Sequence, residues 1–247
     1  AGAAGFLCGT LDECEGLAKA GIKNIMYAYP VASPVNVQRV IDLSKKCNFI
    51  IRIDNYDGAK MLNDAAEAAG IKVNYTIIID SGLHRFGILP EKVLDFANSL
   101  KDFKALNFLG ISTHPGHVYS ASKQEDIPLY VKDEKNAVKA AADSLRAAGY
   151  ELKLITSGST PTFYDAVLDE NINVFHPGNY VFMDNIQLST NTAKESDCAL
   201  FVYATVISHP SEELFICDAG AKCLGLDQGA HGNTAIKGYG HVKGHPE

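Results

Sequence analysis

Leu152-Lys153-Leu154-Ile155-Thr156-Ser157-Gly158-Ser159-Thr160-Pro161-Thr162 runs from an apolar stretch into a loop of hydroxyls and glycine. Ile172-Asn173-Val174-Phe175-His176-Pro177-Gly178-Asn179-Tyr180 repeats the pattern one unit later. Short apolar runs that end in turn residues are the mark of buried parallel strands giving way to loops. In the first loop, Ser159 and Thr160 followed by Pro161 predict a hydroxyl cap with proline just inside the next helix, so that free N–H groups point out of the helix start. That arrangement suits an anion. In the second loop, Gly178 permits close backbone approach and Asn179 supplies a neutral donor, with Tyr180 beside it. Each loop alone has a purely conformational reading, because turns use these residue types for backbone reasons. Together, after the last two strands of a (β/α) barrel, they stand where such barrels commonly hold a phosphate.

Working outward, the same alternation fills the chain. Strands are expected at Gly5 to Gly9, Asn24 to Tyr29, Phe49 to Asp54, Val73 to Asp80 (the longest) and Phe108 to His114. Helices are expected from Thr10 to Ala20, Pro34 to Cys47, Tyr56 to Ala69, Pro90 to Leu100 and Lys132 to Ala148. With the two opening strands this makes seven, each nearly continuous in apolar residues, as parallel strands buried on both faces are. The fold class is therefore α/β, a (β/α)8-type TIM barrel with seven strands present. An open doubly wound sheet ranks second, because no GxGxxG follows an early strand. Seven strands are one short of closure and Ala1-Gly2-Ala3-Ala4-Gly5 runs straight into a strand without a Met. The expectation is that the first strand lies ahead of Ala1. From about Cys198 the pattern changes to two strands, Leu200 to Ile207 and Leu214 to Cys217, joined by a turn at His209-Pro210-Ser211-Glu212. The domain expectation is a barrel over 1–192 and the beginning of a β domain over 193–247.

Composition excludes several classes. The 247 residues are 47% hydrophobic and 21% charged, ordinary for a globular chain with a large core. The net charge is −7, with no basic run or aromatic-basic stripe, which argues against nucleic acid. No apolar stretch has the length of a membrane span and no signal peptide is visible. The cysteines, Cys8, Cys14, Cys47, Cys198, Cys217 and Cys223, show neither CxxC pairs nor zinc spacing, and read as buried thiols in a reducing cytoplasm.

Barrel chemistry gathers at the C-terminal ends of the strands. Asp80-Ser81-Gly82-Leu83-His84-Arg85-Phe86-Gly87 ends a strand in a carboxylate, turns at glycine and presents an arginine. Arg85 either projects a permanent cation over the barrel mouth or makes an ion pair with Asp80. Thr113-His114-Pro115-Gly116-His117-Val118-Tyr119 offers two imidazoles and a phenol. Metal binding by this His-x-x-His is the weaker reading, since no third ligand is near; stacking on a planar ligand, or hydrogen bonding to it, is the stronger. His241 and His245 read as solvated surface histidines.

Five motifs occur in one order: D-S-G-L-H-R-F-G-I at 80–88, T-H-P-G-H-V-Y at 113–119, S-G-S-T-P-T at 157–162, H-P-G-N-Y-V-F-M-D at 176–184 and D-A-G-A-K at 218–222. In this the chain resembles the D-threonine aldolase and D-serine dehydratase family, which has the fold of alanine racemase. The resemblance implies a pyridoxal 5′-phosphate (PLP) barrel followed by a β domain. It implies cofactor contacts from Arg85, His114, Tyr119, Ser159, Thr160, Gly178, Asn179 and Tyr180. It also implies that Asp218 faces the site from a neighbouring subunit or domain, in a homodimer acting on a small D-amino acid. The activity implied is metal-assisted aldol cleavage of D-threonine or dehydration of D-serine, with zinc or manganese. A racemase on the same fold and a non-catalytic PLP barrel are the alternatives.

Two parts of the family pattern are missing. The lysine that forms the Schiff base with PLP is expected before Ala1, and the metal ligands after Glu247. Lys222 sits on the wrong strand for the lysine's role.

Overall fold

Every strand of the larger sheet pairs in parallel with the next strand in the chain, in the order β1-β2-β3-β4-β5-β6-β7. The strands are β1 (Phe6–Cys8), β2 (Asn24–Tyr27), β3 (Asn48–Ile53), β4 (Val73–Ile79), β5 (Leu106–Thr113), β6 (Leu154–Ser157) and β7 (Val174–Phe175). The structure, a computed structural model, describes residues 2–121, 123–220, 222–225 and 240–244. The helices between strands are α1 (Leu11–Lys19), α2 (Pro34–Lys46), α3 (Tyr56–Ala68), α4 (Val93–Ser99), α5 (Ile127–Ala147) and α6 (Phe163–Ala166); α7 (Asn185–Ser189) follows β7. Parallel crossovers are right-handed, so an unreversed strand order puts the helices on one face. Accordingly α1 packs on α2, α2 on α3 and α4 on α5. The sheet curls into the α/β barrel form with seven strands; among the described residues β1 and β7 each have one neighbour.

Register separates the two faces. Ile53, Ile77, Ile111 and Ile155 share one layer, as do Ile51, Tyr75 and Phe108, and these pack with the helices in one apolar core. The alternate residues face the barrel axis, and many are polar: Arg52 pairs with Thr76, and Ser112 with Thr156. Thr76 Oγ1 donates to Ser112 Oγ at 3.1 Å. At the start of the strands, on the same face, Asn24, Asn48, Asn74 and Asn107 form a ladder. Each amide donates to the side-chain oxygen on the preceding strand, at 3.0, 2.9 and 2.6 Å.

Local expectations held where caps were written in the sequence. The helix expected from Thr10 starts there, with a capping box of Thr10 and Glu13, and the one expected from Pro34 starts at that residue, where the structure adds a Ser33 cap. Elsewhere the boundaries moved. β5, with eight residues, is longer than β4, with seven. α5 begins at Ile127, ahead of the expected Lys132, with Pro128 in its first turn. The second β unit is a hairpin of β8 (Val206–Ser211) and β9 (Leu214–Cys217). Its turn falls at Glu212-Glu213, and Leu200 to Thr205 lie outside the strand. Cys217 and Cys223 are exposed, so the expectation of six buried thiols is corrected to Cys8 and Cys14, with Cys47 and Cys198 intermediate. The hairpin turns every one of its residues to the surface. No helix among the described residues is long and apolar enough to cross a membrane.

Candidate active site

The loops after β6 and β7 meet at the barrel mouth. Thr160 Oγ1 accepts the Tyr180 N–H at 3.1 Å, and His176 N donates to Ser157 O at 3.0 Å. The approach depends on Gly158, where a Cβ would stand 2.6 Å from the carbonyl carbon and Nδ1 of His176. On the other side His114 Nδ1 bonds the Gly158 carbonyl at 2.7 Å; a carbonyl only accepts, so Nδ1 carries the proton. A Cβ at Gly178 would meet nothing within 4 Å, so open space lies against this backbone.

The first loop is built differently from the expected helix cap. α6 starts at Phe163, has four residues, and its N-cap Thr162 makes no side-chain cap bond. Ser159 turns inward, with its Oγ 2.9 Å from Thr162 Oγ1 and accepting the Thr162 N–H at 3.4 Å. The backbone donors at this place are therefore those of a loop held by hydroxyls and not of a helix start.

The phenol of Tyr119 lies under this loop, bonded to the backbone and hydroxyl of Thr160 and beside the side chain of Gln187. Burial pushes that phenol up, against the lowering effect of the Thr160 N–H. Gln187 is buried and neither end of its amide reaches a protein partner in good geometry. Its side chain faces the Tyr119 phenol and acts on it as a hydrogen-bonding group. Asn179 has one of its two amide protons committed to Asp184 Oδ2 at 2.8 Å. Asp184 Oδ1 in turn caps α7 through Gln187 N, at 3.0 Å. Tyr180 is exposed.

Arg85 does not pair with Asp80. Asp80 Oδ1 accepts the N–H groups of Gly82 and His84, at 2.9 and 3.0 Å, and Oδ2 meets His84 Nδ1 at 2.9 Å. Burial acts to raise Asp80, but these bonds outweigh it and hold the carboxyl below its ordinary value. Arg85 lies over Phe86 and Tyr29, 4.7 and 5.3 Å from the ring centroids, and with Asp80, Phe86 and His114 lines a cleft.

Beneath the loops, Arg52 is 1% exposed and donates to His176 Nε2 at 2.8 Å. Burial and the nearby charge of Arg85 bring Arg52 down to about 9. Burial and Arg52 drive His176 well below the usual imidazole value. Among the described residues no carboxylate pairs with Arg52, and its Nε has no partner there. A buried Arg52 with no carboxylate partner among the described residues, and Arg85 exposed at the cleft, make this end of the barrel electropositive, which suits an anionic ligand.

Sequence reasoning assigned no role to Arg52, Gln187 or Glu134. Arg52 does interrupt an apolar run at an axis-facing position, and Glu134 interrupts the buried stripe Val131, Val138, Ala141, Leu145 of α5. Asp218 is not brought to the barrel residues: its contacts are with Thr205, through Oδ1 at 2.8 Å and through its own N–H at 3.1 Å. His117 packs against Tyr130, ring centroids 5.2 Å apart. Among the described residues no group of three His, Cys, Asp or Glu is placed to hold a metal, and His245 lies outside the described residues.

Similarity to known proteins follows the same lines. The family model for the alanine racemase N-terminal domain matches residues 1–186, and one for a serine dehydratase domain matches residues 199–247. The chain is 30% identical to the D-threo-3-hydroxyaspartate dehydratase of Delftia sp. (strain HT23), over 98% of this chain and 64% of that protein. It is 28% identical to the D-serine dehydratase of Dictyostelium discoideum, over 91% and 60%. It is 27% identical to the D-threonine aldolase of an Arthrobacter species, over 90% and 59%. The solved Delftia enzyme superposes with a TM-score of 0.87 at 29% identity, covering 96% of this chain and 62% of that one. The chain thus spans less than two thirds of the length of these relatives. The axis-facing polar layer, the paired loops and the first family match, which takes in both loops, agree: this chain belongs to the alanine racemase N-terminal domain family, among the relatives of D-threonine aldolase and D-serine dehydratase.

Proposed function

We propose that this chain forms the PLP-binding barrel of a lyase acting on D-3-hydroxy amino acids, by aldol cleavage or by loss of the hydroxyl. The observation that carries the reading is the meeting of Thr160 and Tyr180 over open space at Gly178. In this reading Thr160, Gly178 and the free half of Asn179, with the backbone around Ser159 and Tyr180, hold the phosphate. Neutral donors suffice there, as in other anion sites built from loop amides. Bound PLP supplies an electron sink for the bond broken at the substrate carbon. Arg85, braced on Phe86 and Tyr29, directs a fixed cation at the ring side of the cleft, and His114 closes the edge through Gly158. Tyr119 braces Thr160 from below.

The related enzymes' names support a small D-hydroxy amino acid as substrate. A homodimer belongs to the same reading: among the described residues Asp218 bonds Thr205 beside the hairpin and not the barrel, as a residue that faces a partner's barrel would. Six free thiols, two of them exposed, suit a reducing cytoplasm. The described residues offer no ligand set for zinc or manganese, and no step here runs through a metal.

The test is reconstitution of the full-length protein with PLP. An absorbance band that borohydride removes, with turnover of D-threonine, D-serine or D-3-hydroxyaspartate, is expected; a protein that takes up no PLP ends the proposal. Interconversion of D- and L-amino acids without cleavage would replace the lyase by a racemase, and chelation during turnover tests the metal.

A further inference from the structure

Glu134 is a fully buried carboxyl on α5 that nothing in the binding reading uses. It stands behind the first loop and holds both ends of it. Ser157, the last residue of β6, donates its hydroxyl to Glu134 Oε1 in a short bond. The Thr162 hydroxyl, at the far end of the loop, lies near enough to act on the carboxyl, though not as a bonded partner of Oε2. Glu134 Oε2 is buried with no partner of good geometry. A carboxylate in that state is costly, because one charged oxygen has lost water and gained no partner. Burial raises this carboxyl, against the opposing effect of the two hydroxyls. The charged groups acting on it are Lys135, its neighbour on α5, and Asp169, in the turn after α6; β6 and the loop present hydroxyls.

In front of the carboxyl, the Ser159 and Thr162 hydroxyls meet at 2.9 Å across the loop. An anion held by the loop 158–161 disfavours a second negative charge directly behind it. We propose that Glu134 takes up a proton when the cradle fills with the ligand's phosphate, and that it is a positioning residue linking occupancy of the cradle to pH. This rests on the PLP reading above.

The experiment compares the full-length protein with Glu134→Gln, which keeps the shape and hydrogen bonds but cannot ionise. PLP affinity is titrated from about pH 5.5 to about pH 8.5. The phosphate's own ionisation near about pH 6 is common to both proteins and cancels in their ratio. The expected result is equal affinity at the acid end and a wild type that weakens relative to the variant as pH rises, by about tenfold for each pH unit separating the carboxyl's free and bound titrations. PLP binding with a ratio that stays constant across pH overturns the linkage and leaves the cofactor reading standing. Failure of both proteins to bind PLP overturns both. Should the variant not fold, infrared difference spectra of the wild type decide: addition of PLP increases the protonated-carboxyl band, and an unchanged band overturns the inference.

Discussion

Arg52 and His176 meet inside the barrel at 2.8 Å, guanidinium to Nε2, and the pair has a definite polarity. Arginine can only donate, so Nε2 accepts and the imidazole is neutral with its proton on Nδ1. The folded protein thus resists protonating His176, and both burial and the Arg52 charge oppose it. The unfolded chain takes that proton at about pH 6.5. Stability from this group is complete above that value and falls as pH drops below it towards the depressed folded value, by at most about 1.4 kcal/mol per pH unit. His176→Gln keeps an acceptor for Arg52 and removes the titration. Urea unfolding at pH 7, 6 and 5 should show a smaller acid loss for the variant; equal losses would mean that His176 titrates normally.

The asparagine ladder makes a separate prediction about the opposite end of the barrel. Asn48 donates to Asn24 and accepts from Asn74, so Asn48→Ala removes two bonds and leaves two amides to water. Because these amides are largely exposed, the cost is on the low side of the usual range, about 1 kcal/mol in total. Chemical denaturation measures it. No change at all would show the ladder to be worth no more than hydration of its members.

Gly158→Ala should separate the two loops, since its Cβ would stand 2.6 Å from the backbone of His176. Repulsion of this kind costs about 1–3 kcal/mol when the structure must shift. PLP affinity should fall by at least about tenfold, because an error of this size in the cradle displaces donors from both loops at once. A variant that binds PLP as tightly as wild type would separate the cradle from this contact.

Arg85→Lys keeps a charge but loses the flat stack on Phe86 and Tyr29. Cation–π contacts at exposed positions such as Arg85 contribute about 0.5–1 kcal/mol. PLP should bind several-fold more weakly, while inorganic phosphate, which needs only the cradle, should bind unchanged. Equal weakening of both ligands would place Arg85 at the phosphate and not at the ring.

Some of this was legible in residue order and some was not. The capping box at Thr10 and Glu13 and the Ser33-Pro34 start were readable because a cap is made within four residues. The start of α6 was misread because Ser159-Thr160-Pro161 has the composition of a cap, while its Ser159 hydroxyl is engaged by Thr162. Arg85 could be placed at the barrel mouth but not assigned a partner: Asp80 is five residues away, yet its acceptors are taken by the tight turn through Gly82 and His84. The hairpin's turn shifted to Glu212-Glu213 because register, which decides where a strand ends, is a property of two strands and not of one.

Apolar strands alternating with amphipathic helices determined by themselves a parallel α/β barrel, and the two loops after its last strands determined where a phosphate would be sought. Those are properties of neighbours in the chain, and periodicity records them. Only the tertiary structure decided that Arg52 reaches His176 across 124 positions and that Gly158 lets the loops touch. It likewise decided that Glu134 stands behind them. Curling the sheet brings strand ends from distant parts of the sequence to one mouth, and which polar groups then find or lack partners depends on distances that no local pattern encodes.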